Sequence, residues 1–267
     1  MATLSTDAVT AAADLLAAHR RRGERLAEIP VAIRPVDLDD AYAVQEGLVE
    51  RLCAEHAGKA VGYKVACTNV IAQQALQVRS PLFGRLLSHS VWPSPVTLQA
   101  ARFTTRVIEC EFGLRIGTDL PPGGGPYDAV TIAPFVDAVF PSIEIVDHRF
   151  ADWSLGAPSI AADNAIHGGW VQGRPYDGDW RELDLANHVL EARIDGALVS
   201  TGTGAAVLGN PLTVMAWLAD ELPRHGRRLR AGDVVTTGVC TEVFSAEAGS
   251  TVVADFGILG TVSIDWR

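Results

Sequence analysis

The chain has 267 residues, of which 48% are hydrophobic and 20% are charged, and its 22 basic and 32 acidic residues give a net charge of −10. This acidic balance argues against a nucleic-acid or anionic-membrane surface, and no apolar run approaches the length of a membrane span. The length suits one large domain, or a small domain joined to a larger one.

The N-terminus and the cysteines indicate a cytoplasmic enzyme or binding protein. Residues 1–7 lack the basic and apolar regions of a signal peptide. The four cysteines are scattered along the chain, and no two have the spacing of zinc ligands. We therefore expect neither a disulfide framework nor a zinc site.

The first 60 residues are expected to form a small helical subdomain. Residues 6–28 are alanine-rich and helical in pattern, and we interpret their basic cluster, His19–Arg22, as a solvated helix face rather than an RNA contact. Ile29–Pro35 is typical of a linker. A second helix is predicted to begin near Asp37, because acidic residues suited to a cap and first turn precede apolar residues at helical spacing, namely Ala41, Val44, Leu48 and Leu52.

A short β-prone run, Val61–Cys67, begins the larger domain, which is predicted over residues 61–267. The run contains Lys64, one of only two lysines in a chain with twenty arginines. A lysine can shuttle a proton after a modest pKa shift, whereas an arginine stays charged. An exposed strand lysine without a special role fits the same pattern. Residues 69–77 predict a short helix, and residues 80–85 predict a loop that leads to an apolar strand.

Residues 106–116 alternate with a period of two, which predicts a β-strand. One face is apolar and consists of Ile108, Cys110, Phe112, Leu114 and Ile116. Glu109 and Glu111 therefore project from the opposite face, about one pleat repeat apart. Two like charges this close repel each other, and a bound divalent cation is one arrangement that makes the pair favourable. A half-exposed strand with an acidic solvent face gives the same pattern, so this strand alone leaves both interpretations open.

Glu144 is a third carboxylate inside an apolar strand, predicted over Val139–Asp147 after a helix over residues 128–138. Ile143 and Ile145 flank it on the opposite face of the strand. A glutamate embedded in such a run is rarely without a role. If the two acidic strands pair, their three carboxylates form an oxygen-only cation site suited to Mg²⁺ or Mn²⁺ rather than to zinc.

The rest of the chain is predicted to be mostly β-structure. Residues 160–170 combine polar residues with glycines and favour either a pocket lining or a helix cap and turn. Residues 189–201 predict a hairpin that turns at Asp195-Gly196. Asn210 is suited to the N-cap of a helix over residues 212–222. Three further strands are predicted near residues 233–239, 250–256 and 260–266.

Several segments together resemble the fumarylacetoacetate hydrolase superfamily, in its 2-oxopent-4-enoate hydratase and 4-oxalocrotonate decarboxylase branch. The matching segments are Gly62–Lys64, Glu109–Glu111, Ile143–Asp147, Asp163–Ala165, Gly202–Leu212 and Gly238–Thr241. Each motif is weak alone, but their order and spacing are specific, and the resemblance extends from about residue 30 to the end of the chain. It implies an α+β fold with a mixed, rolled β-sheet core and a helical N-terminal part.

The resemblance also implies a site and a reaction. Glu109, Glu111 and Glu144 would hold one Mg²⁺ or Mn²⁺, and Lys64 would be catalytic. Substrate binding would involve Asp163, Asn164 and Thr241. A 2-oxo acid can chelate a hard metal ion through its carboxylate and keto oxygens, and the metal stabilises the enolate that forms when a proton moves. The expected activity is that of a lyase which adds water to a 2-hydroxy-2,4-dienoate and gives a 4-hydroxy-2-oxo acid.

Leu82 departs from the family pattern. The hydratases carry an acid in a Pro-Asp-Tyr/Phe-Gly loop, where this chain reads Pro81-Leu82-Phe83-Gly84. The loss of that acid keeps a decarboxylase of a 4-oxalocrotonate-like acid, or an oxo-acid C–C hydrolase, as an alternative. A non-catalytic subunit that binds a small carboxylate or serves as a scaffold is the second alternative. The resemblance implies a small 2-oxo acid substrate, a homo-oligomer and association with another enzyme of the same pathway, and neither nucleic acid nor a membrane is an expected partner.

Overall fold

The computed structural model describes residues 4–151 and 155–267. Residues 1–3, the start of the stretch in which we predict no signal peptide, lie outside the described residues. The α-helices are α1 (Thr6–Arg22), α2 (Leu38–Glu55), α3 (Val70–Ala75), α4 (Ala129–Ile132), α5 (Ala157–Ala162) and α6 (Pro211–Glu221). None of these helices combines the length and the apolar character that a membrane span requires.

The strands of the described residues form two mixed sheets. They are β1 (Ala60–Ala66), β2 (Leu82–Leu87), β3 (Val91–Pro93), β4 (Val96–Leu98), β5 (Val107–Ile116), β6 (Val136–Val146), β7 (His167–Gln172), β8 (Val189–Ile194), β9 (Ala197–Thr203), β10 (Val234–Thr236), β11 (Phe244–Ser245), β12 (Thr251–Asp255) and β13 (Thr261–Trp266). The larger sheet has the order β2-β1-β10-β5-β6-β7-β3, with β11 also paired to β5, and the smaller has the order β4-β13-β12-β8-β9. In the larger sheet β1 is parallel to β10, whereas β5 is antiparallel to both β10 and β6. These sheets and the N-terminal helices confirm the predicted α+β class.

Local sequence signals fix several element boundaries. The side chain of Asp37 accepts a hydrogen bond from the backbone N–H of Asp40, and Asn210 caps α6 in the same manner. The predicted hairpin pairs β8 with β9, and both of its turn residues, Asp195 and Gly196, have positive φ angles of 50° and 82°. Two positive φ angles are characteristic of the type I′ turn, whose twist matches that of the flanking strands.

Two predicted boundaries are wrong, the first because strand pairing overrides the local pattern and the second because a proline interrupts the helix. The loop predicted over residues 80–85 ends sooner, since β2 begins at Leu82 and pairs with β1. The helix predicted over residues 128–138 stops at Ile132, and a single 3₁₀ turn that contains Pro134 leads into β6. A proline has no backbone N–H and does not continue a helix.

The first helix is also shorter than the pattern over residues 6–28 suggests. It ends at Arg22 because Gly23 adopts the left-handed conformation, with φ 63°. The backbone N–H of Gly23 then donates to the carbonyl oxygen of Arg20. Glycine takes this conformation without the strain that a Cβ would cause, so it is a natural helix terminator.

The centre of the core is β5. Its predicted apolar face is completely buried, with 0% exposure at Ile108, Cys110, Phe112, Leu114 and Ile116. The predicted alternation is therefore confirmed. The same buried cluster includes Leu16 from α1 and Leu48 from α2, so the N-terminal helices and the sheets share one core. The division at residues 1–60 and 61–267 stays a prediction.

Gln45 joins α2 to the sheet. Its side chain is 2% exposed, and its Nε2 donates to the carbonyl oxygens of Phe83 on β2, at 3.0 Å, and of Ala161 on α5, at 2.7 Å. Both acceptors are buried main-chain carbonyl groups, and the Gln45 amide donates the hydrogen bonds that water would otherwise supply. One side chain therefore holds three elements together around the strand that leads into the candidate site.

Replacing Gln45 by leucine is expected to lower the free energy of unfolding by about 2–4 kcal/mol, because two buried carbonyl oxygens lose their donor. Urea denaturation followed by circular dichroism measures the change. The exposed Gln99 provides the control, since Gln99→Leu is expected to change stability by less than about 0.5 kcal/mol. Equal destabilisation by the two substitutions would contradict a role for the Gln45 amide.

Candidate metal centre and adjoining cavity

Three glutamates meet on one face of the larger sheet. Glu109 and Glu111 lie on β5, and Glu144 lies directly opposite Glu109 on the antiparallel neighbour β6. One carboxylate oxygen from each residue lies within 4.8 Å of the other two. Glu111 and Glu144 are completely buried, whereas Glu109 is half-buried. The register of two strands thus brings the sequence-predicted carboxylates together.

Each buried carboxylate has one oxygen held by the protein and one without a partner. Glu111 Oε2 accepts hydrogen bonds from the backbone N–H of Gly238, at 2.7 Å, and from the Thr236 hydroxyl. Glu144 Oε1 lies 3.2 Å from Lys64 Nζ and 2.9 Å from His167 Nδ1. The remaining oxygens, Glu111 Oε1 and Glu144 Oε2, are buried and make no hydrogen bond within the described residues.

This donor set fits a hard divalent cation. An unpartnered carboxylate oxygen in the protein interior costs free energy, and Glu111 and Glu144, which each have one, belong to the same cluster as the carboxylate of Glu109. The three groups that could ligate an ion present only oxygen. Oxygen ligands are those that magnesium, manganese and calcium prefer.

The electrostatics of the metal-free cluster oppose full ionisation. Burial raises the pKa of Glu109 to about 7 despite the opposing effect of Lys64. Burial and the charges of the other two glutamates hold the pKa of Glu111 well above its usual value. Burial also acts on Glu144, but the contacts with Lys64 and His167 outweigh it and lower the pKa of this carboxyl. A cation that neutralises the cluster must therefore displace protons from it.

Lys64 reaches the cluster from β1. Its side chain is 1% exposed, and burial alone would lower its pKa, but the three glutamates raise the pKa above the ordinary value, so the side chain is an ammonium. Gly84 lies opposite Lys64 on β2, and a Cβ at Gly84 would lie 3.1 Å from Lys64 Cγ and 2.5 Å from the carbonyl oxygen of Asn164. The absence of a side chain at Gly84 therefore makes room for the lysine.

A cavity of about 250 Å³ adjoins the cluster. Its polar lining includes Lys64 and Glu109 together with Thr68 and Asn69, and its apolar lining comes largely from Ala66, Ala72, Ala75, Leu76, Val146, Ile160 and Ile166. Leu82, the departure from the family pattern, is completely buried in the apolar cluster that also contains Cys67 and Ile160. The cavity therefore has charged, titratable side chains on one part of its lining and apolar side chains on the rest.

The structure uses the three residues expected to bind substrate in other contacts. Asp163 is completely buried, and its Oδ1 accepts from Arg20 Nε at 2.7 Å. Asn164 exchanges two hydrogen bonds with the backbone of Arg85. Thr241 donates its hydroxyl to the carbonyl oxygen of the next residue. None of the three lines the 250 Å³ cavity, and their assignment to substrate binding stays a prediction.

Sequence reasoning did not single out His167 or Thr236. His167 falls in the glycine-rich segment that we interpret as a pocket lining or turn, and nothing in the local pattern connects it with Glu144. Thr236 precedes the recognised Gly238–Thr241 segment on β10 and has no distinctive neighbours. Both residues reach the glutamates only through strand pairing, which the sequence does not state.

The comparisons with known proteins agree with this geometry. Residues 55–265 match the family model described as fumarylacetoacetate (FAA) hydrolase C-terminal. The chain is 34% identical over 264 residues to 2-keto-4-pentenoate hydratase 1 of Dechloromonas aromatica (strain RCB). The matched residues make up 98% of each chain. It is 28% identical over 224 residues to 4-oxalocrotonate decarboxylase of Pseudomonas putida, covering 84% of this chain and 83% of that one.

A solved structure that matches over the full length of both chains supports the same fold. It is the 4-oxalocrotonate decarboxylase from Pseudomonas putida G7 complexed with magnesium and adipate, with a TM-score of 0.92 and 26% identity. The superposition covers 100% of each chain. This match confirms the predicted fold, a rolled mixed sheet with a helical N-terminal part.

Binding of Mn²⁺ is expected to weaken as the pH falls through about 7. Glu109, with a pKa of about 7, holds a proton below that pH, and the ion must displace it, so the affinity falls roughly tenfold per pH unit for each displaced proton. Isothermal titration calorimetry across this range measures both affinity and proton release. Glu109→Gln should bind at least about tenfold more weakly and should release one proton fewer.

The exposed Glu247 supplies the matched control for this measurement. Glu247→Gln removes an exposed carboxylate that does not belong to the cluster. The Mn²⁺ affinity of this variant, and the pH dependence of that affinity, are expected to equal those of the wild type. An affinity that does not change between about pH 6 and pH 8 would remove Glu109 from the set of ligands.

Proposed function

Because this chain belongs to the fumarylacetoacetate hydrolase family, we propose that it is a metal-dependent lyase that adds water to a 2-hydroxy-2,4-dienoate and gives a 4-hydroxy-2-oxo acid. The observation that carries the proposal is the pair of unpartnered buried oxygens, Glu111 Oε1 and Glu144 Oε2, beside the ammonium of Lys64. The hydratase from Dechloromonas aromatica, 34% identical over nearly the whole of both chains, supports the same reaction class.

Glu109, Glu111 and Glu144 would hold one Mg²⁺ or Mn²⁺ ion. When bound, the ion supplies a Lewis acid that stabilises the negative charge developing on a 2-oxo group. The all-oxygen donor set supports these two metals over zinc, and the related decarboxylase structure was obtained with magnesium. The Thr236 hydroxyl and the Gly238 N–H hold Glu111 through Oε2, and Oε1 keeps no hydrogen bond within the described residues.

Lys64 would hold and relay the proton that the reaction moves. Its Nζ is 3.2 Å from Glu144 Oε1, and Lys64 also lines the cavity in which a substrate would lie. An ammonium in this position stabilises negative charge on the substrate and can return a proton to carbon. Its burial keeps bulk water from competing for that proton.

The cavity lining supports a substrate with one carboxylate and an apolar tail. Among the described residues, Lys64 is the only cationic side chain that lines this cavity. The wall beyond it is built from small and branched apolar side chains. The Thr68 hydroxyl also lines the cavity and makes no side-chain hydrogen bond within the described residues, so it is available to position a water molecule. Gly238 leaves space for this hydroxyl, since a Cβ there would lie 2.0 Å from Thr68 Oγ1.

Decarboxylation of a 4-oxalocrotonate-like acid is the second candidate. Leu82 favours it, because this residue occupies the place of an expected acid and is completely buried among apolar side chains beside the cavity. Loss of CO₂ leaves an electron pair that the oxo acid accepts, and it requires no group that activates water. The similarity to the two Pseudomonas putida decarboxylases supports this candidate as well.

We also propose that the enzyme is a cytoplasmic homo-oligomer. All four cysteines are free, which suits a reducing compartment. Leu198 and Val199 are 51% and 42% exposed on β9, the edge strand of the smaller sheet. Exposed apolar side chains on a strand edge support association with another copy.

A product assay decides between the two reactions. With Mg²⁺ and 2-hydroxypenta-2,4-dienoate, we expect a 4-hydroxy-2-oxo acid, detected by loss of diene absorbance and by mass spectrometry. With 4-oxalocrotonate we expect no release of CO₂. Release of CO₂ together with inactivity on the diene would transfer the assignment to the decarboxylase, and inactivity on both substrates would contradict the proposed function.

Replacing Lys64 by methionine is expected to lower kcat by about 10²–10⁴-fold, the range for a lost acid–base group. Mn²⁺ binding should persist, because the three glutamates remain and an opposing positive charge is removed. Lys59→Met, which alters the other lysine of the chain at an exposed position, should leave kcat unchanged. A variant with no Lys64 but with near wild-type kcat would rule out the proton-transfer role.

A further inference from the structure

A second and larger cavity lies apart from the substrate cavity. Its volume is about 540 Å³, and the C-terminal end of α1, the end of α2 and the segments around residues 87–90, 101–103, 147–149 and 164–168 enclose it. Its lining is rich in basic side chains, namely Arg20, Arg21, Arg22, His56, His89, Arg102, Arg149 and His167. A chain with a net charge of −10 therefore places five of its 22 lysine and arginine residues around one cavity.

Carboxylates pair with four of the five arginines of the lining, and these pairs include Arg22 with Glu24 and Arg149 with Asp147. Glu55 pairs with Arg21 at 3.0 Å, and Asp163 pairs with Arg20 at 2.7 Å. Arg102 instead stacks on the Trp92 ring, 4.9 Å from its centroid, and its Nη2 donates to the carbonyl oxygen of His89 at 3.4 Å. Within the described residues, the guanidinium of Arg102 has no carboxylate partner at the rim of the cavity.

Two deeply buried side chains present unused polar atoms here. Arg149 is 2% exposed, and its Nη2 donates to Asp147, but its Nε makes no hydrogen bond within the described residues. His167 is also 2% exposed, and its Nε2 is likewise unpartnered, whereas Nδ1 contacts Glu144. Buried polar atoms are normally satisfied, so each unused atom calls for a ligand or a water molecule.

The electrostatic environment agrees with an excess of positive charge. Burial and the neighbouring His56 and Arg102 hold the pKa of His89 at about 4. The rings of His56 and His89 stack with their centroids 4.2 Å apart. The lining therefore offers N–H donors and a positive potential, which is the environment that an oxyanion requires.

We propose that this cavity binds a small multivalent oxyanion of the phosphate type, held by Arg102 and by the Nε–H of Arg149. A small ligand fits better than a protein surface, because the Nε–H donor of Arg149 belongs to a side chain that is 2% exposed and a broad surface does not reach it. The volume of about 540 Å³ exceeds that of an inorganic ion and leaves room for an organic group on the phosphate. The site is separate from the substrate cavity, and the proposal does not depend on the reaction.

Calorimetric titration of the metal-free, full-length protein with inorganic phosphate tests the proposal. Removal of divalent ions prevents phosphate from binding through the glutamate cluster. Sodium chloride at matched ionic strength controls for screening, and sodium sulfate tests for the same tetrahedral, multivalent shape. Glycerol phosphate distinguishes an organic phosphate ligand from the free ion.

Three variants locate the binding. Arg102→Gln is expected to weaken phosphate binding by about tenfold or more, as expected for a lost charge-assisted hydrogen bond. Arg149→Lys keeps a positive charge for Asp147 but removes the Nε donor, and it should weaken binding several-fold. The matched control is Arg181→Gln, since Arg181 also stacks on a tryptophan, with its guanidinium 4.7 Å from the Trp180 ring, but does not line the cavity.

Saturable binding of one phosphate per chain, weakened by Arg102→Gln and unchanged by Arg181→Gln, supports the proposal. Tighter binding of glycerol phosphate supports it too and identifies an organic phosphate as the ligand class. No saturable binding by the wild type, or equal weakening by both arginine substitutions, would overturn it. If phosphate does not bind and Arg102→Gln lowers the mass in size-exclusion chromatography with light scattering, the cavity is a contact between copies and the proposal is wrong.

Discussion

The concentration of three carboxylates within 4.8 Å is the constraint on which the rest of the site depends. Mutual repulsion and the loss of hydration both oppose ionised glutamates in the interior. The fold reduces this cost by giving Lys64 and His167 to one oxygen of Glu144, and a backbone N–H and a hydroxyl to one oxygen of Glu111. In the part of the chain that the structure describes, the two remaining oxygens have no hydrogen-bond partner. A fold that satisfied all the oxygens itself would be more stable without a metal ion and would bind the ion less well.

The larger sheet distributes this task over five adjacent strands. In the order β1-β10-β5-β6-β7, the strands supply Lys64, Thr236, the Glu109 and Glu111 pair, Glu144 and His167. Adjacent strands place their side chains at fixed lateral spacings, so a single continuous surface sets every distance in the cluster. Strand pairing is a rigid support, and rigid support is what a preorganised charged site requires.

The sequence predicted the parts of this arrangement that depend on local pattern. Alternation along β5 placed Glu109 and Glu111 on one face, and the apolar context of Glu144 marked a third carboxylate. It did not predict the contacts of His167 and Thr236, because these depend on which strands are neighbours, and no local spacing encodes the parallel pairing of β1 with β10. The helix predicted to extend to residue 138 ends at Ile132, because Pro134 interrupts it and the chain pairs with β5 from Val136 onward.

The metal centre does not by itself choose between hydration and decarboxylation, so the choice lies in the wall of the cavity. A head group with one carboxylate can meet Lys64 and the metal ligands, but a second carboxylate at the other end of a substrate would face Leu76, Ile160 and Ile166. An anion buried there without a cation would lose several kcal/mol of hydration, about as much as other unpaired buried charges. Leu82 packs against the same apolar side chains without loss of hydration. An acid at that position would be buried among apolar groups and would lose its hydration. The wall therefore accounts both for the missing acid and for the proposed substrate with an apolar tail, and in the proposed hydration a neutral group such as the Thr68 hydroxyl would position the water.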